Sequence, residues 1–562
     1  MVHRGSELAE GDPAAGRWAP PARPAIVLAA GVGLLLAYLL LGAAGEPRAG
    51  SGADVGGKLA ELEVAVRDDR CDLDVGYWAA AWDPDGDHHQ LVNTERRGDR
   101  FQQGTSLAFQ CASMPAREAM GPLGALLLPA LGGVAAAAAA ARITWLLSGS
   151  RTRGWASFVL VGATTPVAFY ALDFWEHAPA VGAGAWAVAL LLDEPGRWRG
   201  ALAGVVAGVA VVLRAELLLY LVAAAGLVVA VPALRRRWFG SPVAVAAGAC
   251  AAGAIVLLNQ VAEVVVLDGD AARSARAGAL TGQAGSDAGQ RALDAAVTTV
   301  GLFADGGWLA ALVGLLSVAG VGALALLAAG ARHRALAVLA ALGASLYAAR
   351  MATGPGFVPG ALAAAPLAVA GLAVRGERSP GRTLVVGTAV LGAALVWVFS
   401  WSGRLVAQWG GRYLLLSGVL LAAVALAAPG LRLRRGAGAL LLGLSVAVGA
   451  YGTVWHVQRT SGVAEVADRI GRFGDEVVLV ALDDNLGREL GGWYGDQRWL
   501  RAAGDLPSAL DVVRRSGAEH LVLAGVGARP TTPAIDGWRA VATDAVPWFG
   551  DETVHLVEYS RR

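Results

Sequence analysis

The sequence predicts a polytopic α-helical membrane protein of about thirteen transmembrane helices, with a small extracytoplasmic C-terminal α/β domain. Three observations carry this. The 562 residues are 56% hydrophobic and only 16% charged, with a mean hydropathy of +0.52, a balance that belongs to membrane chains. Long apolar runs recur along most of the chain. The loops between them alternate between arginine-rich and arginine-poor.

The first span, roughly 25–41, follows Arg17 and Arg23. Basic residues stay on the cytoplasmic side, so segment 1–24 is expected there and the chain emerges outside near Gly45. No small-residue cleavage site follows, so this span is read as a retained helix. Further runs lie at about 121–142, 155–172, 178–192, 200–213, 215–231, 241–266, 307–329, 335–349, 358–374, 383–400, 411–428 and 436–455. Arg151 and Arg153, Arg197 and Arg199, Arg235 to Arg237, Arg332 and Arg334, Arg375, Arg378 and Arg382, and Arg432, Arg434 and Arg435 then all fall inside, as the positive-inside rule asks. The run 201–231 is broken only by Arg214 and Glu216. As one helix it would be about 46 Å long, too much for a core about 30 Å thick. Two short spans turning at Arg214 on the outer side fit better.

The membrane domain is thus 25–455, including a large outer loop at 44–120, and an outer domain fills 457–562. In that tail the pattern predicts a helix at 463–473, a strand at 476–482, a helix at 506–516, a strand at 520–524 and a strand at 553–559. Cys71 and Cys111 both fall in the outer loop, where a disulfide could close it; the spacing leaves the pairing open. Cys250 is a small hydrophobe in a helix.

Ionisable groups in or beside membrane spans are expensive and mark functional sites. Five outward clusters qualify. The loop acids Asp68, Asp69, Asp72 and Asp74 could supply a general base; Asp74 is the first choice, beside Gly76, Tyr77 and Trp78, and Asp72 the second. In Tyr170–His177, Asp173, Glu176 and His177 share a helical face and Trp175 offers a ring for stacking a sugar; ordinary caps in an aromatic belt are the bland alternative. Arg214 with Glu216 suits a phosphate, or merely locks two helices. Arg350 precedes the glycine-rich turn 354–360, and segment 400–415 offers Arg404, Gln408, Trp409, Arg412 and Tyr413. These could hold a phosphate headgroup, or simply snorkel. The stretch 82–89 spaces Asp83, Asp85 and Asp87 like the start of a calcium loop but lacks its distal glutamate. A plain turn explains it. No basic stripe with interleaved aromatics is present, which excludes nucleic acid as a partner.

Together these residues resemble the GT-C glycosyltransferase superfamily. The shared features are acids in the first outer loop, the Tyr170–His177 turn with its Asp-Phe-Trp-Glu-His, Arg214-Ala-Glu216 after short helices, and Gln408-Trp-Gly-Gly-Arg412-Tyr413. The likeness is to enzymes using polyprenyl-phosphate sugars, such as protein mannosyltransferases and aminoarabinose transferases, and it covers roughly 25–455. It implies transfer of a sugar, with inversion, from a polyprenyl-phosphate donor to an acceptor hydroxyl on the extracytoplasmic face of the inner (plasma) membrane. The acceptor would be a cell-envelope glycan, lipid or protein. The resemblance places the base at Asp74 or Asp72. It gives the donor phosphate to Arg214 and Arg412; the polar clusters themselves add Glu216, Arg350, Arg404, Gln408 and Tyr413 as candidates beside them, and Asp173, Trp175, Glu176 and His177 are left to position substrate. No metal ligand set is evident, although the outer aspartates leave a divalent cation, Mg or Mn, open as a cofactor. The alternatives are a lipid-linked glycan polymerase or ligase driven by arginines without a base, and a transporter or flippase of lipid-linked sugars. Neither internal repeats nor the broken midplane helices of transporters are seen.

Overall fold

A computed structural model describes residues 24–92, 94–267, 288–301, 308–352, 357–374, 379–399, 409–433, 436–527, 533–550 and 552–562. Segment 1–23, Arg375, Arg378, Arg404, Gln408, Arg434, Arg435 and part of the turn 354–360 lie outside these residues.

Each of the thirteen apolar runs contains a helix, but they are unequal. Seven described helices are long and apolar enough to cross a membrane: Pro24–Ala44, Leu107–Ser148, Pro242–Val266, Trp308–Ala328, Arg334–Ala352, Pro380–Phe399 and Ala437–Ile470. His177–Leu192 and Arg412–Ala427 are shorter apolar helices. Within 358–374 only Pro366–Ala373 is helical. Pro366 opens that helix and removes a donor from the preceding turn, so eight residues cannot span a bilayer.

Small residues let these helices pack backbone to backbone. A Cβ on Gly200 or Gly204 would fall 2.0 Å from the carbonyl oxygens of Ala244 and Gly248, so helix Arg197–Leu213 lies directly against Pro242–Val266. That second helix turns most of its apolar side chains outward, which suits lipid rather than water. Helices Arg197–Leu213 and Leu217–Ala230 meet at Arg214–Glu216, the turn expected from the length of the run. The following arginine-rich helix, Pro232–Phe239, bends away by 94°.

The expected break near residue 456 is absent. Helix Ala437–Ile470 runs unbroken for 34 residues, about 51 Å, because no proline or cap interrupts it between Trp455 and Val463. Its last turns belong to the α/β part. There the strands are β3 (Val478–Ala481), β4 (Arg498–Arg501), β5 (His520–Val526), β6 (Trp538–Phe549) and β7 (Glu552–Arg561), after β1 (Thr94–Arg97) and β2 (Arg100–Gln103) of the first loop. The five-stranded sheet has the order β4-β3-β5-β7-β6. β3 is parallel to β4 and β5, and β7 is antiparallel to β5 and β6. Val463, Val466 and Ile470 cover one face beside Leu479 and Val522. Ala509, Leu510 and Val513 of helix Leu506–Arg515 cover the other beside Val478, Val480 and Leu521. Strands β4 and β6 were not legible in the sequence. β4 is four residues long, and β6 is mostly exposed, so neither shows a continuous apolar run.

Cys71 and Cys111 are joined by a disulfide. Asp83 accepts hydrogen bonds from the backbone N–H of Asp87 and His88 and from the Tyr77 hydroxyl, which makes the aspartate-rich stretch a turn.

Candidate active site

Helix Ala53–Arg67 in the first loop organises the site. Asp54, Lys58 and Glu61 lie at i, i+4 and i+7, so they share one face. That face meets the turns carrying Asp173–His177 and Arg412–Tyr413 directly and the Arg214–Glu216 turn through Glu176. It also meets helix Leu486–Glu489 from the C-terminal part.

The ion pairs interlock. Arg214 places Nη1 3.2 Å from Glu176 Oε1 and Nε 2.8 Å from Glu216 Oε1. Lys58 Nζ stands 3.2 Å from the Glu176 carboxylate, which is fully buried. His177 Nδ1 lies 3.9 Å from Glu216 Oε1. Arg412 Nη1 is 2.6 Å from Asp54 Oδ2, and Arg488 Nη1 is 3.1 Å from Asp54 Oδ1. The Arg412 guanidinium also lies 5.1 Å from the Trp175 ring and 4.8 Å from that of Tyr413, whose ring Arg214 approaches at 5.3 Å. Such cation–π contacts fix the orientation of planar cations. Gly410 and Gly411, both with positive φ, set up Arg412. A Cβ there would strike Pro166 at 2.4 Å and the Thr298 carbonyl oxygen at 2.5 Å, so only glycine fits.

Asp173 anchors the chain entering this helix. It accepts hydrogen bonds from the Ser51 hydroxyl and, at 3.3 Å, from the Ser51 N–H, and His456 Nε2 is 3.6 Å away. Glu61 accepts hydrogen bonds from the Thr105 hydroxyl and, at 2.6 Å, from Gln110 Nε2. Burial pushes the Glu61 carboxyl up to about 7, against the lowering effects of Thr105, Lys58 and Gln110. Asp54 moves the other way. Burial alone would raise it, but Arg488 and Arg412 outweigh that and hold it well below the usual carboxylate range.

The structure therefore brings together Asp173, Trp175, Glu176, His177, Arg214, Glu216, Arg412 and Tyr413. It does not bring the two loop acids chosen as base into this cluster. Asp74 Oδ1 accepts from the N–H of Gly76 at 3.0 Å and of Phe101 at 2.9 Å, and Oδ2 pairs with Arg70 at 3.1 Å. Asp72 accepts from the N–H of Asp74 and lies 3.7 Å from Arg100. Both lie past the C-terminal end of helix Ala53–Arg67 whereas Asp54 lies at its start, about 20 Å along the helix. They hold the loop together. Arg350 sits near the end of helix Arg334–Ala352 beside Tyr451. Its neighbour Tyr451 stacks on Trp409, Trp409 on Phe169, and Phe169 meets Tyr170 edge-on. Arg404 and Gln408 lie outside the described residues.

Asp54, Lys58, Glu61 and Arg488 were missed. The available signal was the Asp-x-x-x-Lys-x-x-Glu spacing just after the first span, three charges on one face of a helix. Arg488 had none. Among the described residues no group of three or more His, Cys, Asp or Glu is placed to hold a metal ion.

No family model matches the chain, and no curated protein matches it. Among solved structures, it is similar to ArnT from Cupriavidus metallidurans in the apo state, at 15% identity over 95% of this chain and 97% of that one, with a TM-score of 0.46. The same protein bound to undecaprenyl phosphate aligns at 14% identity over 95% and 97% of the two chains, with a TM-score of 0.45. The oligosaccharyltransferase AglB from Archaeoglobus fulgidus, in complex with an inhibitory peptide and a dolichol-phosphate, aligns at 10% identity over 88% of this chain and 69% of that one, with a TM-score of 0.44.

Proposed function

We propose that this chain is a membrane glycosyltransferase that moves a sugar from a polyprenyl-phosphate donor to an acceptor hydroxyl at its extracytoplasmic face, with Asp54 as the base. One observation carries the reading. A partly exposed carboxylate, Asp54, stands at the mouth of a buried cation cluster, paired with Arg412. The Nε–H of Arg412 is buried and has no hydrogen-bond partner among the described residues. A donor that a phosphate oxygen could satisfy is thus held beside a group able to take a proton.

In this mechanism the acceptor oxygen attacks the anomeric carbon opposite the phosphate. The bond from that carbon to the phosphate oxygen breaks, its electron pair leaves with the polyprenyl phosphate, and the acceptor proton passes to Asp54. Arg412, Arg214 and Lys58 stabilise the charge growing on the phosphate, where preorganised cations in a dry site count most. The donor phosphate competes with Asp54 for Arg412. As that contact loosens, the Asp54 carboxylate becomes a stronger base when substrate is bound. Trp175 is buried and both it and Tyr413 lie under the Arg412 guanidinium, so these rings hold that cation in place, and Glu176 keeps Lys58 and Arg214 apart and oriented.

The test is transfer of labelled sugar from polyprenyl-phosphate donors in membranes carrying wild type, Asp54→Asn, Asp72→Asn or Asp74→Asn. Asp54→Asn is expected to lose about 100-fold or more in rate, while the other two retain turnover. Survival of transfer in Asp54→Asn with loss in Asp74→Asn would return the base to the loop.

A further inference from the structure

We propose that the C-terminal α/β unit is part of this active site and that Arg488 is a positioning residue for the Asp54 carboxylate. The inference rests on Asp54 being the base. Arg488 arrives from helix Leu486–Glu489 and is only 8% exposed. Its Nη1 pairs with Asp54 Oδ1, while Arg412 from the membrane part takes Oδ2. The carboxylate is therefore gripped on both oxygens by two arginines from opposite sides.

The docking is built for this contact. A Cβ on Gly56 would fall 2.0 Å from the Arg488 carbonyl oxygen, and one on Gly57 would fall 2.9 Å from Arg488 Nε. From the other side, a Cβ on Gly491 would meet the Gly56 carbonyl oxygen at 1.8 Å, and one on Gly492 the Arg48 carbonyl oxygen at 1.8 Å. Two adjacent glycines inside a helix each cost about 1 kcal/mol relative to alanine. Here they let a second backbone press against the first turns of helix Ala53–Arg67, where Asp54 is. Arg48 completes the clasp, donating from Nε to the Gly492 carbonyl at 2.8 Å and pairing with Asp496 at 2.9 Å.

The two arginines then divide the work. Arg412 shares a ring stack with Arg214 and can turn to the leaving phosphate. Among the described residues Arg488 lies over no aromatic ring; it stays with Asp54 Oδ1, keeping the carboxylate ionised with Oδ2, once Arg412 leaves it, aimed at the acceptor. The charged groups facing Asp54 are Arg488, Arg412 and Lys58.

The experiment uses the full-length protein in membranes, with Arg488→Gln and Arg488→Lys. It reads the pH dependence of sugar transfer and, separately, the affinity for undecaprenyl phosphate. Arg488→Gln is expected to lose at least about tenfold in rate and to move the acid limb up by about one pH unit or more, with lipid-phosphate affinity unchanged. Arg488→Lys keeps the charge and restores the limb, though less of the rate, because the planar fork is lost. An unshifted limb in a wild-type-active system would overturn the positioning role alone, and so would weakened undecaprenyl phosphate binding, which would make Arg488 a donor ligand. Wild-type protein that binds the lipid phosphate but transfers no sugar would overturn both this role and the proposed function.

Discussion

Asp54 and Glu61 show how two carboxylates on one helix face are driven in opposite directions. Glu61 is buried and Asp54 partly so, which disfavours charge. Asp54 has two guanidinium partners and stays ionised, whereas Glu61 has a hydroxyl, an amide and one more distant lysine, and rises to about 7. The sign of its effect on stability follows from proton uptake. Between its unfolded value of 4.5 and about 7, the folded state holds the proton that the unfolded chain has lost. Stability is therefore greatest below about pH 4.5 and declines as pH rises to about 7. The size is about 3 kcal/mol. Glu61→Gln keeps an acceptor for Thr105 and Gln110 but cannot ionise. Thermal unfolding in detergent at pH 5 and pH 8 should show the variant gaining on the wild type chiefly at pH 8; an equal difference at both pH values would count against this account.

Among the elements, the first-loop helix matters most, because it links the membrane helices to the sheet. Its far end is tied down by the Cys71–Cys111 bridge, which closes a loop with a sequence separation of 40. Cross-linking a loop of that length stabilises by about 2–4 kcal/mol, mostly by restricting the unfolded chain. Replacing both cysteines by serine should lower the unfolding temperature. A thiol reductant should lower that of the wild type equally and leave the double variant unmoved. The loop acids Asp72 and Asp74 belong to the same brace, so their loss should reduce folded protein more than turnover.

Across the whole molecule, the charged turns of the site gather at one face. The turns holding Glu176, Arg214 and Arg412 come together with the first loop and helix Leu486–Glu489, while Arg197 and Arg199 stand at the opposite end of the helix that runs into the Arg214 turn. If this face is extracytoplasmic, a thiol placed by Asp475→Cys in a Cys250→Ala background should react with an impermeant maleimide in spheroplasts, and one placed by Arg197→Cys should not. Labelling of Arg197→Cys alone would reverse the orientation. The unbroken helix Ala437–Ile470 carries this arrangement, since its first half packs among the spans and its last turns line the sheet.

The sequence by itself determined the helical membrane character, the turn at Arg214–Glu216, the α/β nature of the tail and eight of the residues that meet at the site. These are legible because hydrophobic length and charge near a membrane are local properties, written in consecutive residues. Which acid stands at the cluster was decided by tertiary structure. Asp54, Asp72 and Asp74 are chemically alike and lie in one loop; the Asp-x-x-x-Lys-x-x-Glu spacing puts Asp54 on a charged helix face, but only its pairing with Arg412 and Arg488 sets it apart from the other two. Arg488 was invisible for the same reason. A contact between residues so far apart in the chain depends on how two backbones close, not on the composition of either segment.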